Sequence, residues 1–364
     1  MKKLPGGGSL PVGQISFEIP EPQFKMQEPP LYASSTRIIR IIDAALEQMR
    51  PDIEKAISVY GHEKIGICLG SCDNGSEASL LAHREFLAKG AFPKDYNLKY
   101  QGASFPVEFI ARKFNLKGPA ITIATACASG ASAIARGAEL IRSGLCDAVI
   151  AGGADIVSDT VLLGFHALEA VSDSITNPFS KNRKGINLGE GAAFFLLDSR
   201  GNGGLGNSGI KLLGSGESAD AFHITAPGED GAGPAKAMTN ALQEAGLNPS
   251  QIGYVNLHGT GTLLNDAAEA LAMKAVFGEK IPPASSIKPI IGHTLGAAGA
   301  LEAAICWMVL HEKKGFPLHC WDGEKDEKLV FHPHIPEFDP PSFCMSNNFA
   351  FGGCNVSLIL GKEG

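Results

Sequence analysis

Charged residues are scarce in this chain: Asp, Glu, Lys and Arg make up 19% of its 364 residues, below the ~25% of an average globular chain. Such scarcity points to much buried surface, in a large core or against another subunit. Basic residues are outnumbered, 31 against 38, for a net charge of −7, and a nucleic-acid-binding protein needs the opposite balance. No apolar signal-peptide core follows Met1-Lys2-Lys3, which leads into Leu4-Pro5-Gly6-Gly7-Gly8. The longest apolar stretch, near Ala297 to Leu310, is broken by Glu302 and too short to span a bilayer. These absences lead us to expect a cytoplasmic protein that binds neither nucleic acid nor membrane. Its cysteines at 68, 72, 127, 146, 306, 320, 344 and 354 are then expected to be free thiols. Cofactor signatures are missing as well. Neither Gly152-Gly153 nor Gly201 to Gly206 fits a dinucleotide-binding turn followed by an acidic residue. Cys68 and Cys72 have a zinc-like spacing that no second pair answers, so no metal is expected.

What is present suits a large folded core. Hydrophobic residues reach 44%, which excludes global disorder, and the length suggests two domains at about 150 residues each. Glycine is abundant, 44 residues in short clusters beside apolar runs, as tight turns and close backbone contacts require. A short strand is expected at Gln14 to Ile19, and a helix after Ser34-Ser35-Thr36 with Ile38, Ile41, Ile42, Leu46 and Met49 on one face. Strands at Lys64 to Leu69 and Ala148 to Gly153 flank helices near Glu77 to Leu87 and Phe105 to Phe114. Pro119 to Ala124, β-branched and without a polar face, reads as a strand buried on both sides. It turns at Thr125-Ala126-Cys127 into a small-residue helix, Ala128 to Ser143. After the Gly/Asn loop Gly201 to Ser208 the scheme repeats, with helices at Gly233 to Gly246, Asp266 to Phe277 and after His293. Strands are expected at Gly253 to Leu257, Ala284 to Ile287, Cys344 to Asn347 and Asn355 to Leu360. Asp266 and Glu269 read as a capping pair. Alternation of this kind means an α/β fold with a mainly parallel sheet. A faint echo, Cys127-x-x-Gly130 against His293-x-x-Gly296, places Cys127 and His293 at equivalent helix starts in two similar halves.

Cys127 opens a helix, where the helix dipole and unpaired N–H groups favour a thiolate. It reads either as a nucleophile or as a small buried residue in a tight turn. His258 opens His258-Gly259-Thr260-Gly261-Thr262, whose glycines bare the backbone and whose hydroxyls suit a polar ligand. Lys288 and His293 add a cation and a second imidazole close together in sequence. Each could be structural alone. Together, each at a strand end or helix start beside glycine, they are harder to dismiss as structural.

Seven segments resemble, in order, the elongating β-ketoacyl-acyl carrier protein synthases of the thiolase-like superfamily. They are Thr125 to Gly130, Gly189 to Ala192, Asp220 to Pro227, His258 to Thr262, Lys288, Gly292 to Gly299 and Asn348 to Gly353, over about residues 60 to 362. The resemblance implies an α/β thiolase-like fold of two similar halves, residues 1–206 and 207–364, each a five-stranded mixed sheet between helices in α-β-α-β-α layers. It implies a decarboxylative condensation of an acyl-Cys127 thioester with malonyl-acyl carrier protein. His258 and His293 would then hold the malonyl thioester carbonyl. The N–H groups of Cys127 and Phe351 would form an oxyanion hole, with Phe351 also a gate. Lys288 and Glu302 would support the histidines, and Thr260 and Thr262 would bind the phosphopantetheine arm. No resident cofactor is implied, since that arm arrives with the acyl carrier protein. The chain is expected to form a homodimer, or a heterodimer with a related subunit.

The family's first strand, placed centrally in the first sheet, has no match here. Ser180, Ala350 and Cys354 also depart from the family pattern, which suggests a specialised pathway such as polyene or polyketide synthesis beside fatty acid synthesis. Two alternatives remain: a non-catalytic chain-length-type partner subunit, which usually lacks the cysteine, and a thiolase, for which Cys354 would supply the second thiol.

Overall fold

The computed structural model describes residues 1–4, 8–24, 36–73, 75–94, 96–200, 205 and 208–362. The expected helix start at Ser34-Ser35 and the boundary between 206 and 207 lie outside these residues. In the N-terminal half, β1 (Ile65–Gly70), β2 (Ala120–Ile123), β3 (Ala148–Asp155) and β4 (Gly191–Asp198) form one sheet in the order β2-β1-β3-β4. β1 pairs parallel with β2 and β3, and β4 runs antiparallel to β3. In the C-terminal half, β5 (Lys211–Ala219), β6 (Tyr254–Asn256), β7 (Ala284–Ser285), β8 (Phe343–Phe349) and β9 (Cys354–Gly361) lie in the order β7-β6-β8-β9-β5.

Besides a one-turn helix at Lys288–Ile291, the helices among the described residues are α1 (Arg37–Gln48), α2 (Arg50–Tyr60), α3 (Ser76–Lys89), α4 (Phe105–Lys113), α5 (Ser129–Arg142), α6 (Asp159–Ala167), α7 (Ala232–Ala245), α8 (Leu263–Phe277) and α9 (Ala298–Glu312). α5 and α9 pack on each other between the sheets, while α1 and α4 cover one outer face and α7 with α8 the other. This is the layered thiolase-like order. The central helices approach closely because both carry glycine at the crossing. A Cβ on Gly130 would come within 2.8 Å of the Gly296 carbonyl, and one on Gly299 within 2.6 Å of the Ala131 nitrogen. The apolar run is longer than expected: Leu295–Glu312 is long and apolar enough by length and composition to cross a membrane, but it is the turn before α9 and α9 itself, whose Ala300, Ala303, Cys306 and Leu310 are core residues.

Several expectations need correction. The N-terminal sheet has four strands among the described residues, not five. The counterpart of β5 is what it lacks, and β5 is an edge strand beside β9, so the absent strand is peripheral and not central. Residues 14–19 form no strand; the Ile15 N–H is satisfied by the Glu190 carboxylate at 2.9 Å rather than by a ladder. β2 is not buried on both sides: it is an edge strand, with Ala120 exposed and Ile121 38% exposed. The echo between halves is also shifted. A 3-10 turn at Ala126–Ala128 leads into α5, and one at Leu295–Ala297 leads into α9. Ala126 and Leu295 share the same left-handed φ of 48°. The counterpart of Cys127 is therefore Gly296, and His293 precedes its turn by two residues.

Candidate active site

β2 ends beneath the turn that carries Cys127, and the loops after β6 and β7 carry His258 and Lys288 toward it. His293 lies on the loop before α9, its N–H bonded to the Asn187 carbonyl at 2.6 Å. The result is a closed group. Cys127 Sγ lies 3.0 Å from His293 Nε2, and the His258 and His293 rings meet edge to face at 5.4 Å. One donor atom each from Cys127, His258 and His293 falls within 4.8 Å of the others. All three side chains are buried. They open onto a cavity of about 490 Å³ that Thr260, Thr262, Phe165 and Phe351 also line.

Lys288 is buried and donates to the His258 carbonyl and to Glu302. Its Nζ also lies 3.4 Å from His258 Nδ1, which makes Nδ1 the acceptor and leaves the hydrogen on Nε2, facing the cavity. Burial, reinforced by the Lys288 charge, holds both imidazoles well below their ordinary pKa, so they are neutral. Burial pushes Glu302 up to about 7 against the pull of Lys288.

Cys127 departs from the expected thiolate. Burial pushes its thiol up to about 11, outweighing Lys288 and the Phe351 N–H that both favour the anion. The one-turn start of the helix is not enough to offset full desolvation. The thiol therefore rests protonated against His293. The Phe351 N–H points at this sulfur, and Phe351 belongs to a loop pinned by Gly352 N–H to the Ile224 carbonyl at 2.8 Å. Its ring lies 5.9 Å from that of Phe165 on α6. The Thr260 and Thr262 hydroxyls are 3.0 Å apart on the cavity wall. Cys354 does not line this cavity, so it does not supply the second thiol of a thiolase.

Asp266 and Glu269 are not a helix-capping pair. Both sit inside α8, and their carboxylates turn back to the loop: Glu269 accepts the N–H of His258 at 2.8 Å and of Gly259 at 2.7 Å, Asp266 that of Gly261 at 3.1 Å and of Phe179 at 2.8 Å. They shape the His258 loop, a role that sequence reasoning missed. The signal was available: two carboxylates one helical turn apart, just after bared backbone, have N–H groups within reach.

With this geometry in view, the fold and the thiol–imidazole pair define a thiolase-like acyl-transfer protein. The profile described as Beta-ketoacyl synthase, N-terminal domain, matches residues 29–201, and that described as Beta-ketoacyl synthase, C-terminal domain, matches residues 210–319. The chain belongs to the beta-ketoacyl synthase family. It is 36% identical over 315 residues to the 3-oxoacyl-acyl-carrier-protein synthase 2 of Vibrio cholerae, covering 82% of this chain and 75% of that one. Among solved structures it resembles a chain of the complex of a ketosynthase, ApeO, with its chain length factor, ApeC, from Xenorhabdus doucetiae. That likeness has a TM-score of 0.88 and 38% identity and covers 100% of this chain and 89% of that chain. A beta-ketoacyl synthase from Burkholderia phymatum is similar at a TM-score of 0.83 and 30% identity, over 97% of this chain and 88% of that one.

Proposed function

We propose that this chain is a condensing enzyme that joins an acyl group held on Cys127 to malonyl-acyl carrier protein, giving a β-ketoacyl-acyl carrier protein. The observation that carries this reading is the contact of Cys127 Sγ with His293 Nε2 at 3.0 Å beside a second neutral imidazole. In the first half-reaction the Cys127 sulfur attacks the incoming thioester carbonyl as its proton passes to His293 Nε2. The N–H groups of Cys127 and Phe351 hold the oxyanion. The carrier thiolate leaves and takes up the proton. In the second half-reaction His258 Nε2–H, together with His293 in the tautomer that carries its hydrogen on Nε2, binds the malonyl thioester carbonyl. Carbon dioxide leaves, the enolate attacks the acyl-Cys127 carbonyl, and the Cys127 thiolate departs and is reprotonated. Donors aimed at one oxygen suffice for this, and a strong base is not required.

Thr260 and Thr262 are well placed to hydrogen-bond the phosphopantetheine arm of the carrier, and Phe351 to gate the acyl end against Phe165. Lys288 and Glu302 support the imidazoles. No metal or resident cofactor takes part in this scheme. The likeness to a chain of a complex between a ketosynthase and its chain length factor, together with the exposed edge β2, favours a dimer, either homodimeric or with a related subunit. Halves near 1–206 and 207–364 and a cytoplasmic location complete the proposal.

The non-catalytic partner reading has less support, because Cys127, His258, Lys288 and His293 are all present and converge. Mass spectrometry of the protein after incubation with a panel of acyl carriers decides between them. A mass increase located on Cys127 supports the condensing enzyme. Absence of loading with every carrier supports the partner subunit.

A further inference from the structure

Asp155, the last residue of β3, is a buried carboxylate without a cationic partner. Instead it collects hydrogen bonds from two separate turns. The turn after β1 supplies the Ser71 hydroxyl at 3.1 Å, the Cys72 N–H at 3.0 Å and the Asp73 N–H at 2.9 Å. The turn that leads into α9 supplies the Gly296 N–H at 2.5 Å. Burial pushes the Asp155 carboxyl up to about 7 against the pull of these N–H groups, and a buried acceptor among converging N–H groups is a directional knot. Gly296 is required there: a Cβ would fall 2.6 Å from the carboxylate and 2.7 Å from the Cys72 nitrogen.

Cys72 extends the knot to the nucleophile. Its Sγ lies 3.2 Å from the Ala126 carbonyl. Burial raises the Cys72 thiol far above its ordinary pKa, so it stays an S–H donor. Ala126 is the residue held at a left-handed φ of 48° immediately before Cys127, a conformation that persists only where the surroundings impose it. On the other arm, Gly296 lies three residues beyond His293.

We propose that Asp155 is a positioning residue, one that locks the turn holding His293 to the turn of Cys72, and through the Cys72 thiol locks Ala126, so that Cys127 Sγ and His293 Nε2 stay in contact. The catalytic consequence rests on the condensing role proposed above, whereas the geometric consequence does not.

The test uses Asp155→Asn, Cys72→Ala and Cys72→Ser in the full chain. Asparagine keeps the size of the side chain but turns an amide donor toward N–H groups. In a crystal structure of Asp155→Asn, the Cys127–His293 contact should open beyond hydrogen-bond reach. An unchanged contact overturns the proposal, whether or not the wild type proves to condense acyl chains. In kinetics, Asp155→Asn should lower kcat for both acyl transfer and malonyl decarboxylation by roughly tenfold or more, with KM within about twofold. A wild-type kcat overturns the proposal. Cys72→Ala should slow acyl transfer to Cys127 by a factor of about three or more, and Cys72→Ser, which keeps a donor, should restore most of it. Equal rates in Cys72→Ala and the wild type remove the thiol arm of the knot. Should Asp155→Asn fail to fold, the Cys72 variants still test the proposal, and those equal rates then overturn it.

Discussion

In the C-terminal half, β9 lies between β8 and β5, and seven of its eight residues are buried. β4 takes the same place in the N-terminal half with β3 as its one neighbour among the described residues, and seven of its eight residues remain half-exposed. A cavity of about 500 Å³ runs along that open side between Phe194, Phe195 and Leu196 and the α9 residues Trp307 and Met308. The halves diverge again at their central turns. Both begin with a residue at φ 48°, but one continues with Cys127 and the other with Gly296. One turn therefore presents a sulfur to the cavity, and the other leaves room for the backbone of its neighbour. In the condensing role we propose, the first half supplies the nucleophile and the second holds the imidazoles and the loops around them.

The largest expected effect breaks the C-terminal contribution. Replacing His258 or His293 with Ala should slow malonyl decarboxylation by about 100- to 1,000-fold, equivalent to ~2.7–4 kcal/mol for one lost oxyanion donor. Acylation of Cys127 should persist in part. Carbon dioxide release at the wild-type rate would contradict the assignment.

The sheet comparison can be broken by truncating matched apolar residues. Ile359→Ala in β9 should destabilise the protein by about 2–5 kcal/mol, because Ile359 is fully buried. Leu196→Ala in β4 should cost roughly half as much, since a half-exposed side chain loses less burial. Denaturant unfolding measures both, and equal losses would remove the distinction between the strands. Gly299→Ala probes the packing of the two halves: with Ala131 nitrogen only 2.6 Å from the new Cβ, a loss of about 1–3 kcal/mol is expected. Unchanged stability would show that α5 and α9 can separate freely.

A pH series separates the two halves. The Cys127 thiol has a pKa pushed up to about 11. Its alkylation by iodoacetamide should therefore rise by about tenfold per pH unit from roughly pH 7 to 9. The imidazoles are already neutral, so malonyl decarboxylation should stay level between about pH 6.5 and 8. An acid limb near pH 6.5 would mean that an ordinary histidine controls that step.

Much of this is legible in the chain. The Ile38, Ile41, Ile42 and Leu46 stripe marks α1, and the run Ile65–Gly70 marks β1, because burial of one face or both imposes a period on the sequence. Cys127, His258, Lys288 and His293 stand out because each lies at or beside a predicted strand end or helix start in a glycine-rich stretch. The misses have a common physical cause, in that they depend on contacts distant in the chain. The Cys127 thiol is governed by desolvation that the opposite half completes. Asp155 acts on N–H groups of other segments, and no local pattern marks such a carboxylate. The expectation for β2 fails because an edge strand on an exposed face and a central strand can have the same apolar sequence.

The central claim is a division of labour: the first half carries the acyl group and the second half prepares the enolate. Cys127→Ala tests it most directly, with a melting curve to show that the fold is retained. The variant should form no acyl-enzyme and no β-ketoacyl product while still releasing carbon dioxide from malonyl-acyl carrier protein. Loss of carbon dioxide release in a folded Cys127→Ala protein, or acyl loading that survives without the thiol, would contradict the account.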